Sequence, residues 1–211
     1  MNFQFQSKED YISLIEGIKT DKTYFENLYQ TNRFKAIDSA SSYLHSKLLN
    51  AIVPHWYGTE WDFNGHTNTP NDGEIACGYF VSTTLKHLGF NLNRYKMAQQ
   101  AGLTEARMLQ PRSELKIYSG LTFKALKQKI NLVYTDGIYF VGLDNHVGYM
   151  VIKDQEIYFL HSSYCVDKVL IELAEFSPCF ISNLYVFAEI TTNRSLVSQW
   201  ISNTRLNVPI N

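Results

Sequence analysis

Apolar residues recur at helical spacing through the first half of the chain and in short, near-continuous runs through the second. Tyr11, Leu14, Ile15 and Ile18 fall on one face of a helix, and Ser7 and Asp10 ahead of them are spaced like a capping box. A second helix is predicted over about 37–52, with Leu44, Leu48, Leu49 and Ile52 on one side and Pro54 as its stop. The stretch YGTEWDFNGHTNTPNDGE, within residues 55–74, has no such period and reads as a polar loop. A third helix is predicted from Cys77 to Leu88, with Phe80, Val81, Leu85 and Leu88 apolar and Gly89 as C-cap. Two or three shorter helices follow between Arg94 and Ile130.

From Asp136-Gly137 onward the period changes. IYFVGL, HVGYMVI, EIYFLHSS, KVLIEL and LYVFAEI are β-branched and aromatic, with turn residues such as Asp154-Gln155 between them. They predict an antiparallel meander. A final helix is predicted over 195–201. Helices first and a sheet afterwards make an α+β domain, and 211 residues suit one such domain, not two.

Composition narrows the function classes. Hydrophobic residues make up 45% and charged residues 18%, which suits a filled core, and the 14 Tyr and 13 Phe lean toward strands and a lined pocket. Net charge is −1 with no basic stripe, so a nucleic-acid partner is not expected. No apolar run has the length of a membrane span or a signal peptide. A soluble protein is therefore expected, either cytoplasmic, exported by a route that needs no signal, or secreted and trimmed. Cysteines stand at 77, 165 and 179; Cys165 and Cys179 can pair, and an odd number leaves at least one thiol free.

Cys77 stands after a polar loop at the start of an apolar-periodic helix, between the small residues Ala76 and Gly78. A helix N-terminus beside an imidazolium favours a thiolate, the form in which cysteine attacks. Two histidines lie in the strand region. With Asp154-Gln155 as a two-residue turn, Lys153 faces Glu156, Gly148 faces His161 and His146 faces Ser163. The imidazoles of His146 and His161 then become diagonal neighbours on one face, roughly 5–8 Å apart at Cβ, and Gly148 leaves room for them. A one-residue slip would put them on opposite faces. A thiol with a base and an orienting group is the arrangement of nucleophilic catalysis. The bland readings are a small buried cysteine, a turn-capping His146 and a strand-end His161; a zinc site of Cys77, His146 and His161 is a further alternative, without close-spaced ligand pairs.

Four stretches carry a family resemblance: WYG at 56–58, IACGYFVSTTLKHLG at 75–89, NHVGYMVI at 145–152 and FLHSS at 159–163. The chain resembles the NlpC-type peptidases, papain-like cysteine hydrolases that cut bacterial cell-wall peptides. The resemblance covers about residues 55–165 and departs from the family at the nucleophile, where Ala76-Cys77-Gly78 stands in place of the usual Asp-Cys-Ser. It implies a papain-like fold with the nucleophile helix packed on the meander, a core over 54–192, a helical extension over 1–53 and a tail over 193–211. It implies Cys77 as nucleophile, His146 as general base and acid, His161 as its orienter and Tyr57 as an oxyanion donor, with no cofactor or metal.

The expected reaction is amide hydrolysis through a thioester, on a peptide or peptidoglycan fragment. Trp61, Asp62, Asn64 and His66 in the polar loop are candidates for the wall of the substrate cleft. The alternatives are acyl transfer or a non-wall amidase on the same scaffold, or a ligand-binding domain without catalysis.

Overall fold

The computed structural model describes residues 10–210. Helix α1 (Tyr11–Thr31) starts at Asp10, whose carboxylate accepts from the Ser13 N–H; Ser7 lies outside the described residues. Asn32 ends α1 and caps α2 (Arg33–Lys47), its side chain accepting from the Lys35 N–H. Pro54 does not end the second helical segment. A π-helical turn over Leu48–Ile52 widens the spiral and passes into the one-turn helix α3 (Val53–Trp56). Pro54 then sits in a first turn, where its missing N–H costs nothing.

Helices α4 (Cys77–His87), α5 (Arg94–Ala98) and α6 (Gly102–Leu109) follow the polar loop, and α7 (Phe123–Val133) and α8 (Arg194–Ile201) complete the helical set. The strands are β1 (Lys116–Ser119), β2 (Gly137–Gly142), β3 (Val147–Lys153), β4 (Glu156–Ser163), β5 (Lys168–Leu173) and β6 (Leu184–Glu189). They form one antiparallel sheet in the order β1-β6-β2-β3-β4-β5. The meander therefore holds for β2 to β5. β6 instead returns to the other edge of β2, and β1 adds an edge strand that the sequence pattern did not announce.

The sheet is covered on both faces. Tyr149, Val151 and Leu160 face a core built with α1 to α4 and α8, while Met150, Ile152, Phe159 and Phe187 face a smaller one with Leu126 and Ile130 of α7. Trp56 is wholly buried, and its indole N–H donates to Tyr11 Oη, which in turn meets His87 Nδ1 at 2.8 Å. Among the described residues, no helix is long and apolar enough to cross a membrane.

Candidate active site

The β3–β4 hairpin turns at Asp154 and Gln155, both with positive φ (52° and 64°), as a two-residue loop of primed type requires. Lys153 pairs with Glu156 and Tyr149 with Leu160, the register in which His161 comes opposite Gly148. His146 and His161 are thereby brought together: His146 Nε2 lies 2.8 Å from His161 Nδ1. Gly148 is what permits this, since a Cβ there would stand 2.6 Å from Phe159 Cε2 and 2.9 Å from His161 Cβ. The Phe159 ring stacks on His161 at 3.9 Å between centroids, and Tyr164 meets His146 edge-on at 5.0 Å.

The relay continues onto the next strand. His161 Nε2 lies 3.1 Å from Glu172 Oε1. Glu172 is directly opposite Phe159 and diagonal to His161, on the same face. The pairing with His161 holds the Glu172 carboxyl below its usual range. Both imidazoles are buried, at 2% and 0% exposure, and desolvation keeps them neutral, with His146 pushed down to about 3. Because Nε2 of His146 is committed to His161, Nδ1 is its remaining nitrogen, and Nδ1 is buried without a hydrogen bond.

Cys77 is the free cysteine, at the first position of α4, with Ala76 as an extended N-cap that offers no capping side chain. The two histidines share one face of the sheet, as their register predicts, but it is not the face that meets this helix. They lie instead on the face of Phe159, whereas α4 packs on the other face through Phe80 and Tyr149. Cys77 and His146 nonetheless line one cavity of about 280 Å³, because the thiol begins its helix and His146 immediately precedes its strand. Burial pushes the thiol up from its ordinary value and the Glu105 charge adds to this, while backbone N–H groups of Val147, Gly78 and Cys77 itself oppose it. Burial thus works against the thiolate–imidazolium state that a helix N-terminus alone would favour.

The remaining expected residues are placed differently. Tyr57 packs against the larger core and is not among the residues lining the cavity; burial raises its phenol. Trp61 meets Tyr164 at a tilt, with ring centroids 6.1 Å apart, and so connects to His146 through that ring. Asp62 accepts from the Asn64 N–H, and His66 Nδ1 lies 2.8 Å from the Asn64 carbonyl oxygen. None of these four lines the cavity of Cys77. Their loop is nevertheless fixed beside the nucleophile: the Ala76 N–H donates to Gly65 O, and buried Arg94 donates to the carbonyls of His66 and Thr67 and to Thr83 Oγ1.

The residues at the site that the sequence did not point to are Glu172, the one carboxylate in the run KVLIEL, and Glu105 of α6. Cys165 and Cys179 form a disulfide, which closes the segment after β4 onto the turn at Pro178–Phe180. His146, His161 and Cys179 place potential metal-ligand atoms within 4.8 Å of one another, but the Cys179 sulfur is held in the disulfide and is not a thiolate. Cys77 is not part of that group. No family model matches the chain, and comparison with curated proteins and with solved structures gives no match.

Proposed function

We propose that this chain is a cysteine hydrolase of papain-like fold that cleaves an amide bond through a thioester, with a bacterial cell-wall peptide as substrate. The observation that carries the reading is the His146–His161–Glu172 relay ending in a buried, uncommitted Nδ1, on an imidazole that shares its cavity with the free thiol of Cys77. A general base must have one nitrogen open to the nucleophile and the other held by an orienting partner. The choice of a cell-wall peptide comes from the resemblance to the NlpC-type peptidases.

In the proposed cycle the Cys77 S–H proton passes to His146 Nδ1 as the sulfur attacks the amide carbonyl carbon. His161, itself fixed by Glu172, steadies the imidazolium that forms. The Cys77 backbone N–H, at the start of α4, stabilises the oxyanion. The C–N bond then breaks, and His146 returns its proton to the leaving amine. Water attacks the thioester with His146 as base, releasing the acid and restoring the thiol. Tyr57, the oxyanion donor that the resemblance implies, packs against the larger core outside the lining of this cavity, and the cycle is written with the backbone donor alone.

The test is incubation with purified peptidoglycan fragments and mass analysis of the products, with Cys77→Ala as control. New peptide termini from the native chain and none from the variant are expected. Equal products from both would sink the scheme, and a product one added amine heavier, formed in place of the acid, would redirect it to acyl transfer.

A further inference from the structure

Glu105 lies on α6 with 1% of its surface exposed, and its Oε2 has no hydrogen-bond partner. It lines the cavity that Cys77 and His146 share. A Cβ built on Gly78, the residue after the nucleophile, would stand 3.3 Å from Glu105 Oε1, so the carboxyl abuts the first turn of α4. Burying a carboxyl oxygen without a partner costs free energy that an apolar side chain of similar size would not. Desolvation alone pushes this one well above the usual carboxylate range.

The charge around it is one-sided. The other acidic group in the lining is Asp144, exposed at the cavity edge; the Asn183 N–H and Ser182 Oγ donate to it and hold it ionised. The lining contains no lysine or arginine. An unpaired acceptor inside and a carboxylate at the rim complement a cation, not a carboxylate or phosphate.

We propose that Glu105 seats a primary ammonium group of the substrate, next to the carbonyl presented to Cys77. The ammonium N–H donates to Oε2, which removes the unsatisfied group, and its charge offsets the field that an ionised Glu105 would otherwise impose on the thiolate. An α-amine and a side-chain amine offer the same chemistry. The word substrate rests on the hydrolase reading above; the charge preference of the cavity does not.

The first experiment therefore needs no turnover. Alkylation of Cys77 by 2-bromoethylammonium and by neutral iodoacetamide is followed by mass, and the ratio of rates is divided by the same ratio on the urea-unfolded chain. A charge-assisted hydrogen bond predicts a preference for the cation of about tenfold in the native protein. It should fall to near one in Glu105→Gln and persist in Asp144→Asn. A native ratio near one overturns the inference whether or not the variant folds, and so does a ratio unchanged in a folded Glu105→Gln. Should Glu105→Gln fail to fold, a native preference that survives Asp144→Asn supports Glu105 as its source.

The second experiment offers cell-wall fragments that are unmodified, acetylated only at the α-amine, or acetylated only at the side-chain amine. Slower cleavage of one acetylated set identifies the amine that Glu105 seats. Equal cleavage of all three overturns the inference and leaves the hydrolase standing. No cleavage of any, with the alkylation preference intact, sinks the hydrolase reading and supports the cation site.

Discussion

The two halves of the candidate site are built on opposite terms. On the sheet side, Nε2 of His146 and both nitrogens of His161 have partners, and the rings are wedged by Phe159 and Tyr164. On the helix side, the thiol opens onto a cavity, and Glu105 Oε2 has nothing to bond. The uncommitted atom of the sheet side, His146 Nδ1, belongs to the residue that lines the same cavity. A satisfied network fixes geometry before substrate arrives, whereas unsatisfied buried groups gain their partners only when something binds. Under the proposed hydrolase function, the difference would assign orientation to the sheet and recognition to the helix and loops.

Removing the thiol should have the largest effect. Cys77→Ala is expected to lower turnover by at least about 10³-fold while the melting temperature stays near that of the native chain, because only a half-buried sulfur is lost. Cutting the sheet side at its far end should do less. Glu172→Ala leaves His146 and His161 in place but frees the second imidazole to turn, and kcat should fall about 10- to 100-fold with KM nearly unchanged. Glu105→Gln, on the helix side, should act mainly on KM. If Glu172→Ala raised KM and left kcat alone, the division between orientation and recognition would be wrong.

A third variant tests how tightly the sheet side is wedged. A methyl at position 148 would meet Phe159, the Leu160 carbonyl oxygen at 2.8 Å and His161 Cβ, and backbone oxygen cannot swing away as a side-chain end can. Gly148→Ala should therefore cost about 1–3 kcal/mol in urea unfolding and weaken the contact between the imidazoles. A stability equal to the native chain's would show that this face has slack.

Much of this sheet side was legible in the sequence, because its determinants are local. A two-residue turn and a period of two fix which residues face each other, so the meeting of His146 and His161 follows from Asp154-Gln155 alone. Glu172 was out of reach by the same logic: the β4–β5 connection runs through Tyr164–Asp167 and supplies no comparable register signal. The return of β6 to β2 depends on packing across distant parts of the chain, which the pattern of a single strand does not encode. Pro54 looked like a stop because its effect depends on the preceding spiral, and the π-turn at Leu48–Ile52 changes that spiral.

On the helix side, the apolar period placed Cys77 at the start of α4, as the structure has it, but not what packs around it. Gly78 is small because of its neighbour: a Cβ there would lie 2.8 Å from the Ala98 carbonyl oxygen, so α5 packs onto it directly. Glu105 gave no signal, since a glutamate in the run GLTEARML looks like any solvated helix residue. Its burial comes from α6 being pressed between β2, β6 and the start of α4, as Gly102 against Gly142 and Gly78 against Glu105 show. Helical spacing alone carries none of that.

The smallest effect concerns acid. Burial depresses His87 to about 4 and His146 to about 3, both below the ordinary value near 6.5. Between 6.5 and those values the unfolded chain binds protons that the native chain refuses. Stability is therefore fully present above about pH 6.5 and falls as the pH drops through the window toward 4 for His87 and toward 3 for His146. His87 belongs to the Tyr11–Trp56 core and His146 to the relay, so the two contributions can be separated. His146→Gln should flatten the loss of stability between pH 6.5 and 5.5 by about 1 kcal/mol, leaving the shares due to His87, His161 and His45, which burial also lowers. Urea midpoints of both proteins at the two pH values measure this. An unchanged slope would mean that His146 takes up a proton in the folded state as readily as in the unfolded one, and that the relay is open to water at rest.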